Sequence, residues 1–377
     1  MADPSPPKQM ASEPLGPATD QHVVATAIAA IEPADAEARV SATAELDRKV
    51  KPVASLGRLE DIAVRVAGIR GTAVLPPPTP AVVVCAADHG IAAEGVSAYP
   101  QAVTAQMLRT FADGGAAVCV LARQAGARLL VADIGVLQPP GETGPKAGVL
   151  DRRVRAGTAD TSHGPAMTTA QAQQAVRIGV DLAGDLAADG VDLVAVGEMG
   201  IANSTTASAV TAALLNVAPE RVCGRGTGLD DDQLAHKIAT VGRILARHSN
   251  HGRTPMDVLA RLGGLEIAAL AGVMLGCAAR RIPVVLDGFI TGAAALVAAR
   301  LAPHSVDAMI AGHRSTEPGH ALQLADLGLD PLLDLQLRLG EGSGAALAIP
   351  LIRAAIAVLS DMATFESAGL SDREAAR

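Results

Sequence analysis

Five short apolar runs recur along this chain, and each stops in the same way. AVVVCAADHG (81–90), RLLVADIGV (128–136), DLVAVGEMG (192–200), PVVLDGF (283–289) and AMIAGHRS (308–315) all end in an Asp, Glu or His beside a glycine. Helix-period patterns over 102–125, 169–189, 205–216 and 263–279 lie between them. Continuous apolar strands alternating with helices predict a mostly parallel sheet covered on both faces. In open sheets of this kind ligands bind beyond the carboxyl ends of the strands. A glycine that permits a turn and an acid that caps a helix account for two of the five endings. All five together predict a site.

The expected fold class is therefore α/β, a parallel sheet flanked by helices in a Rossmann-like three-layer arrangement. Residues 21–70 read as helical, and LPPPTP (75–80) ends that region before the first strand. The opening MADPSPPKQMASEPLGP has no basic start leading into an apolar core, so residues 1–20 read as a disordered Pro-rich tail and not as a secretory signal.

Composition narrows the function. Aromatic residues make up 1% of the 377, against 49% hydrophobic, so stacking platforms for single-stranded nucleic acid are missing. A formal net charge of −8 also argues against a binder of phosphate backbones. Cys85, Cys119, Cys223 and Cys277 lie far apart and read as buried thiols in a reducing compartment. No uncharged apolar stretch has membrane character. A cytoplasmic protein without nucleic-acid or membrane partners is expected.

Several loops could carry chemistry. GEMGIANSTTAS (197–208) runs from a strand into a helix start rich in hydroxyls, which suits a phosphate, although an ordinary helix cap has the same appearance. Glu198 inside that turn would repel a phosphate unless it faces another part of the ligand. GRGTGLDDDQLAHK (224–237) adds Arg225 and Lys237, the latter either a solvated cation or part of the site, and its Asp run at 230–232 reads as a cap. SHGPAM (162–167) and ADHGIAAEGVSAYPQ (87–101) are further polar loops, and His89 beside Asp88 reads as structural because neighbours on a turn point apart. Walker A, G-x-G-x-x-G, G-x-S-x-G and paired Cys/His patterns do not occur at the places that would give them meaning, which leaves no metal or cofactor expected.

Acids remain. In LRLGEGSGAA (337–346) Glu341 sits among Gly340, Gly342 and Gly344, just ahead of an apolar helical run. It reads either as a first-turn acid favoured by the helix dipole or as a carboxylate desolvated beside Leu337 and Leu339, its pKa raised toward that of a general base.

Seven stretches, in order, resemble one family: KPVASLGRLEDIAVRVAG, AADHGIAAEGVSAYPQAVTAQM, GEMGIANSTTA, GRGTGLDD, GVMLGCAARRIPVVLDGF, GHRSTEPGH and LRLGEGSGAALAIP. They run from about residue 50 to 350 and are similar to the nicotinate-nucleotide:dimethylbenzimidazole phosphoribosyltransferases of cobalamin assembly. The resemblance implies transfer of the 5-phosphoribosyl group from nicotinate mononucleotide to 5,6-dimethylbenzimidazole, with inversion at the anomeric carbon and release of nicotinate. It implies a homodimer and no cofactor. It also implies a large α/β nucleotide-binding domain (76–330) and a small helical domain from both chain ends (21–75 and 331–377), the latter carrying the catalytic loop. Glu341 falls on the family's catalytic base and Glu198 on its second active-site glutamate. Gly200, Ala202, Asn203, Ser204 and Thr205 fall on the phosphate-binding turn, with Gly340 also on the ribose and phosphate side. Lys237 falls on a phosphate-contacting lysine expected from across the dimer. Tyr99, Met107 and Leu339 fall on the pocket for the base. The chain departs from the family at Val53-Ala54 and at Asn203-Ser204-Thr205, where a hydroxyl is kept. A binding module without a competent base, and a nucleosidase acting on the same donor, are the competing readings.

Overall fold

The computed structural model describes residues 19–137, 148–249 and 254–371. Most of the expected N-terminal tail lies outside the described residues. Six strands form one sheet: β1 (Pro80–Ala87), β2 (Arg128–Gly135), β3 (Val149–Asp151), β4 (Leu193–Met199), β5 (Val284–Leu286) and β6 (Met309–Ala311). Their order is β3-β2-β1-β4-β5-β6, and every pairing is parallel. The five strands expected from the apolar runs are present, and β3 is a short sixth that the pattern did not show. The strand order reverses direction between β1 and β4, the crevice at which sheets of this kind bind ligands.

Every residue of β1 is buried, as a central parallel strand requires. Val83 and Cys85 point into a core shared with helices Thr169–Ala188, Asn203–Leu215, Leu265–Ala278 and Phe289–Leu301. Val82 and Val84 point the other way, into a core shared with helices Ala36–Asp47, Arg58–Arg70, Val103–Ala112, Ala117–Gln124 and Ser343–Asp361. The pattern over 102–125 thus becomes two helices, parted where Gly114 turns left-handed at φ 74°. Helix Ser343–Asp361 is long and apolar enough to span a membrane, but Ile349, Ile352 and Ile356 are buried against the sheet, so it is a core helix.

Lys49 and Thr364 form an antiparallel bridge, which ties the two chain ends together on that face. The Asp run behaves as a cap: Asp230 accepts the N–H of Gln233 at 2.8 Å in a reciprocal capping box.

Helices Thr169–Ala188 and Leu265–Ala278 cross with their backbones in contact. A Cβ at Gly179 would overlap the carbonyl of Ala269, and one at Gly272 would overlap that of Val176. Gly179→Ala gains about 1 kcal/mol of helix propensity but forces the helices apart, at a cost of about 3 kcal/mol. Overlap wins, and the thermal midpoint of Gly179→Ala is expected to fall by roughly 5 °C in a scanning melt.

Candidate active site

The strand ends divide by task. Asp88 accepts the N–H of Leu137 at 2.8 Å, and Asp133 accepts that of Val136 at 2.8 Å while pairing with Arg153 at 3.0 Å. Both hold turns. His89 is fully buried between Glu266 (2.9 Å) and Thr206 (2.9 Å), so its role is structural, as its position on the turn suggested. Glu198, Asp287 and His313, beyond or at the ends of β4, β5 and β6, line a cavity of about 620 Å³. It is larger than the cavities beside Arg39 and Arg65 (about 340 Å³) and beside Pro77 and Arg353 (about 280 Å³).

The loop carrying Glu341 is held against the sheet by its glycines and by one acid. Gly340, Glu341 and Gly342 all lie in the left-handed region, at φ 83°, 65° and 87°. Glycine takes that backbone freely, but at glutamate it is strained by on the order of 1 kcal/mol or more. Asp287 offsets this: it accepts the N–H groups of Gly342 (3.2 Å), Gly344 (2.7 Å) and Ala345 (3.0 Å), capping helix Ser343–Asp361 from another part of the chain. Gly197 on β4 completes the fit, because a Cβ there would overlap the Glu341–Gly342 peptide.

Glu341 is 8% exposed, and its Oε2 has no hydrogen-bond partner among the described residues. Burial raises its pKa above the usual carboxylate range, the Val118 backbone N–H works the other way, and Asp287 adds to the rise. Leu339, expected to supply its apolar setting, is instead 56% exposed. Glu198 is more strongly affected. Burial, then the Asp287 and Glu266 carboxylates, push it up to about 8, against an opposing bond from the Asn203 amide. Its Oε1 lies against Gly340, where any side chain would overlap it.

The turn after β4 has Ala202 at φ 73°, and helix Asn203–Leu215 begins directly behind it. Gly200, Ala202, Asn203 and Ser204 line the cavity. Thr205 does not; it is fully buried one residue further on. Lys237 also stays off the wall. Fully buried, it donates to Ser204 Oγ at 2.9 Å and to the Gly224 carbonyl at 3.1 Å. It therefore meets the turn from within its own chain. The helix Asp231–Arg247 passes directly behind the turn, so its own side chain suffices. Burial lowers its pKa, while the nearby Glu317 supports the charge.

Arg225 and Arg338 add cations to the same end of the cavity; Arg338 donates to the Gly226 carbonyl at 2.9 Å. At the other end Tyr99, Met107 and Leu339 line the wall with Val103 and Met199, and Tyr99 and Leu339 stay half exposed at the rim. The cavity thus joins an apolar end to a turn that carries cations, and Glu198, Asp287, Glu317 and Glu341 also line it.

A model described as phosphoribosyltransferase matches residues 31–370. The nicotinate-nucleotide–dimethylbenzimidazole phosphoribosyltransferase of Chloroflexus aggregans is 53% identical over 346 residues, covering 92% of this chain and 97% of its own. That of Geobacter sulfurreducens is 47% identical over 346 residues, covering 92% and 97%. The chain belongs to this phosphoribosyltransferase family. The crystal structure of CobT from Thermus thermophilus superposes with a TM-score of 0.84 at 48% identity, covering 89% of this chain and 99% of that one. The phosphoribosyltransferase fold is thus shared along nearly the whole length.

Sequence reasoning missed Asp287 as the anchor of the Glu341 loop, Glu317 as the acceptor of the Gly226 N–H (2.9 Å), and the cavity-lining His313. LDGF and GHRSTEPGH carried the signal, but not which acid faces backbone and which faces the cavity. Glu94, Asp160 and His163, the last from the SHGPAM loop, gather outside the cavity lining, where Glu94 already pairs with Arg243 at 3.1 Å.

The Glu198 shift has a consequence for stability. With a folded pKa near 8 against an ordinary 4.5, the unfolded chain releases this proton first. The contribution is complete below about 4.5 and is lost as pH rises through about 8. Thermal midpoints measured from pH 5 to pH 9 are expected to fall more steeply for the wild type than for Glu198→Gln.

Proposed function

We propose that the protein transfers the 5-phosphoribosyl group from nicotinate mononucleotide to 5,6-dimethylbenzimidazole, giving α-ribazole 5′-phosphate and nicotinate. The convergence of Glu198 and Glu341 in one cavity, between an apolar base pocket and a cationic turn, carries this reading. The phosphate sits at the turn formed by Gly200, Ala202, Asn203 and Ser204, where Arg338 and Arg225, the latter also paired with Asp231, line the cavity and Lys237 adds charge from behind Ser204. Thr205 supports the turn from within the core. The acceptor base lies among Tyr99, Met107 and Leu339.

One nitrogen of the base attacks the anomeric carbon as the bond to nicotinate breaks, and the bonding pair leaves on the nicotinate ring nitrogen. The attacking base must then shed the proton on its other nitrogen. Glu341 accepts it, being less strongly shifted toward the neutral form than Glu198. Glu198, protonated near neutral pH, orients ribose or base as a hydrogen-bond donor. Two carboxyl groups whose environments set them apart are the usual basis for such a division of labour. We read the enzyme as a cytoplasmic homodimer, with the exposed Tyr99 and Leu339 at the cavity rim.

Glu341→Ala is expected to bind nicotinate mononucleotide with near wild-type affinity in calorimetry while losing about 10²- to 10⁴-fold in turnover. A near-normal rate in that variant would remove Glu341 as the base. Lys237→Met is expected to weaken donor affinity several-fold more than it lowers kcat, because its charge acts through Ser204 on a phosphate that does not react. Nicotinate release that depends on added dimethylbenzimidazole, followed by absorbance or chromatography, separates transfer from hydrolysis.

A further inference from the structure

His313 follows β6, is 2% exposed and lines the cavity, yet neither of its ring nitrogens has a hydrogen-bond partner among the described residues. Burying an imidazole unpaired is costly unless something arrives to pair it. Its Nε2 lies 3.4 Å from Asp287 Oδ1, but Asp287 is committed to the three amides of the Glu341 loop. The ring is locked in place. It lies where a side chain on Gly344 would otherwise be, and Gly288 adjoins it.

Charge and position identify the missing partner. Asp287 and Glu341 bring carboxylates to the same part of the cavity, so an anionic group such as the nicotinate carboxylate or the phosphate would meet repulsion there. A neutral hydroxyl meets none. From His313 the chain leads through Ser315 to Glu317, which bonds Gly226 at the phosphate end. The His313 ring packs on Gly344, in the Glu341 loop, which puts it at the end of the ribose where the anomeric carbon reacts. The hydroxyl on the adjoining carbon is the 2′-hydroxyl.

We propose that His313 hydrogen-bonds the 2′-hydroxyl of the donor ribose and thereby selects ribosyl over 2′-deoxyribosyl donors. This rests on the donor assigned above. The test measures kcat/KM for nicotinate release, with dimethylbenzimidazole as acceptor, from nicotinate mononucleotide and from its 2′-deoxy counterpart. Wild type, His313→Ala and His313→Gln are compared. Dividing the donor preference of each variant by that of the wild type cancels the intrinsic reactivity of the deoxy sugar. His313→Ala is expected to lose about 10- to 100-fold with the ribosyl donor and almost nothing with the deoxy donor, so its preference falls by that factor. His313→Gln, which keeps a hydrogen-bonding group, recovers part of it and serves alone if the alanine variant does not fold. Equal losses on both donors would mark His313 as structural and overturn the proposal. Absence of nicotinate release by the wild type with the ribosyl donor would overturn the donor assignment itself, a different and recognisable failure.

Discussion

Asp287 holds the site together. It directly follows β5, is 1% exposed, and uses both carboxylate oxygens to accept three N–H groups from the loop that starts the helix Ser343–Asp361. Those amides are the orphan donors of a helix N-terminus, which a chain neighbour usually satisfies. Here the neighbour is Glu341, and capping from Asp287 leaves that glutamate free of the task. The same bonds hold three consecutive left-handed residues in place, and Gly197 lets the loop lie flat on β4. Glu341 can then be both strained and rigid.

A cluster of acids in an enzyme that takes a phosphorylated donor looks contradictory until the charges are placed. Glu198 is largely neutral near pH 7, and the charge of Asp287 is partly offset by helix amides. The cations Arg225, Arg338 and Lys237 gather at the other end with Ser204 and Gly226. Glu317 apart, the cations therefore gather at the turn and the carboxylates of Asp287 and Glu341 at the reacting centre, where an oxocarbenium-like sugar would develop charge. Buried Lys237 acts through Ser204, so it contributes potential without competing with the ligand for hydrogen bonds.

Much of this was legible in the chain. The five apolar runs ended where strands end, and the carboxyl ends of β4, β5 and β6 do line the cavity, because parallel strands separated by helices place those ends on one edge. Glu198, Glu341, Gly200, Ser204 and Tyr99 could be picked out because turns and strand ends are local features. Thr205 could not be separated from Ser204, since which hydroxyl faces outward depends on the rotation of a helix against its core. Leu339 was expected to cover Glu341 and lies at the rim instead, for neighbours in a loop need not share a face.

The sequence by itself determined the parallel sheet, its helices and the polar ends of its strands, because periodicity and turn chemistry act over a few residues. Its motifs were also enough to point to the family. Only the tertiary structure decided that Asp287 reaches 55 to 58 residues along the chain to cap the Glu341 loop, and that Lys237 meets Ser204 from 33 residues further on. It also decided that His313 lies buried beside them without a hydrogen-bond partner among the described residues. Those facts arise where β4, β5 and β6 are brought side by side, and a carboxylate's partner and pKa are set by what surrounds it in space.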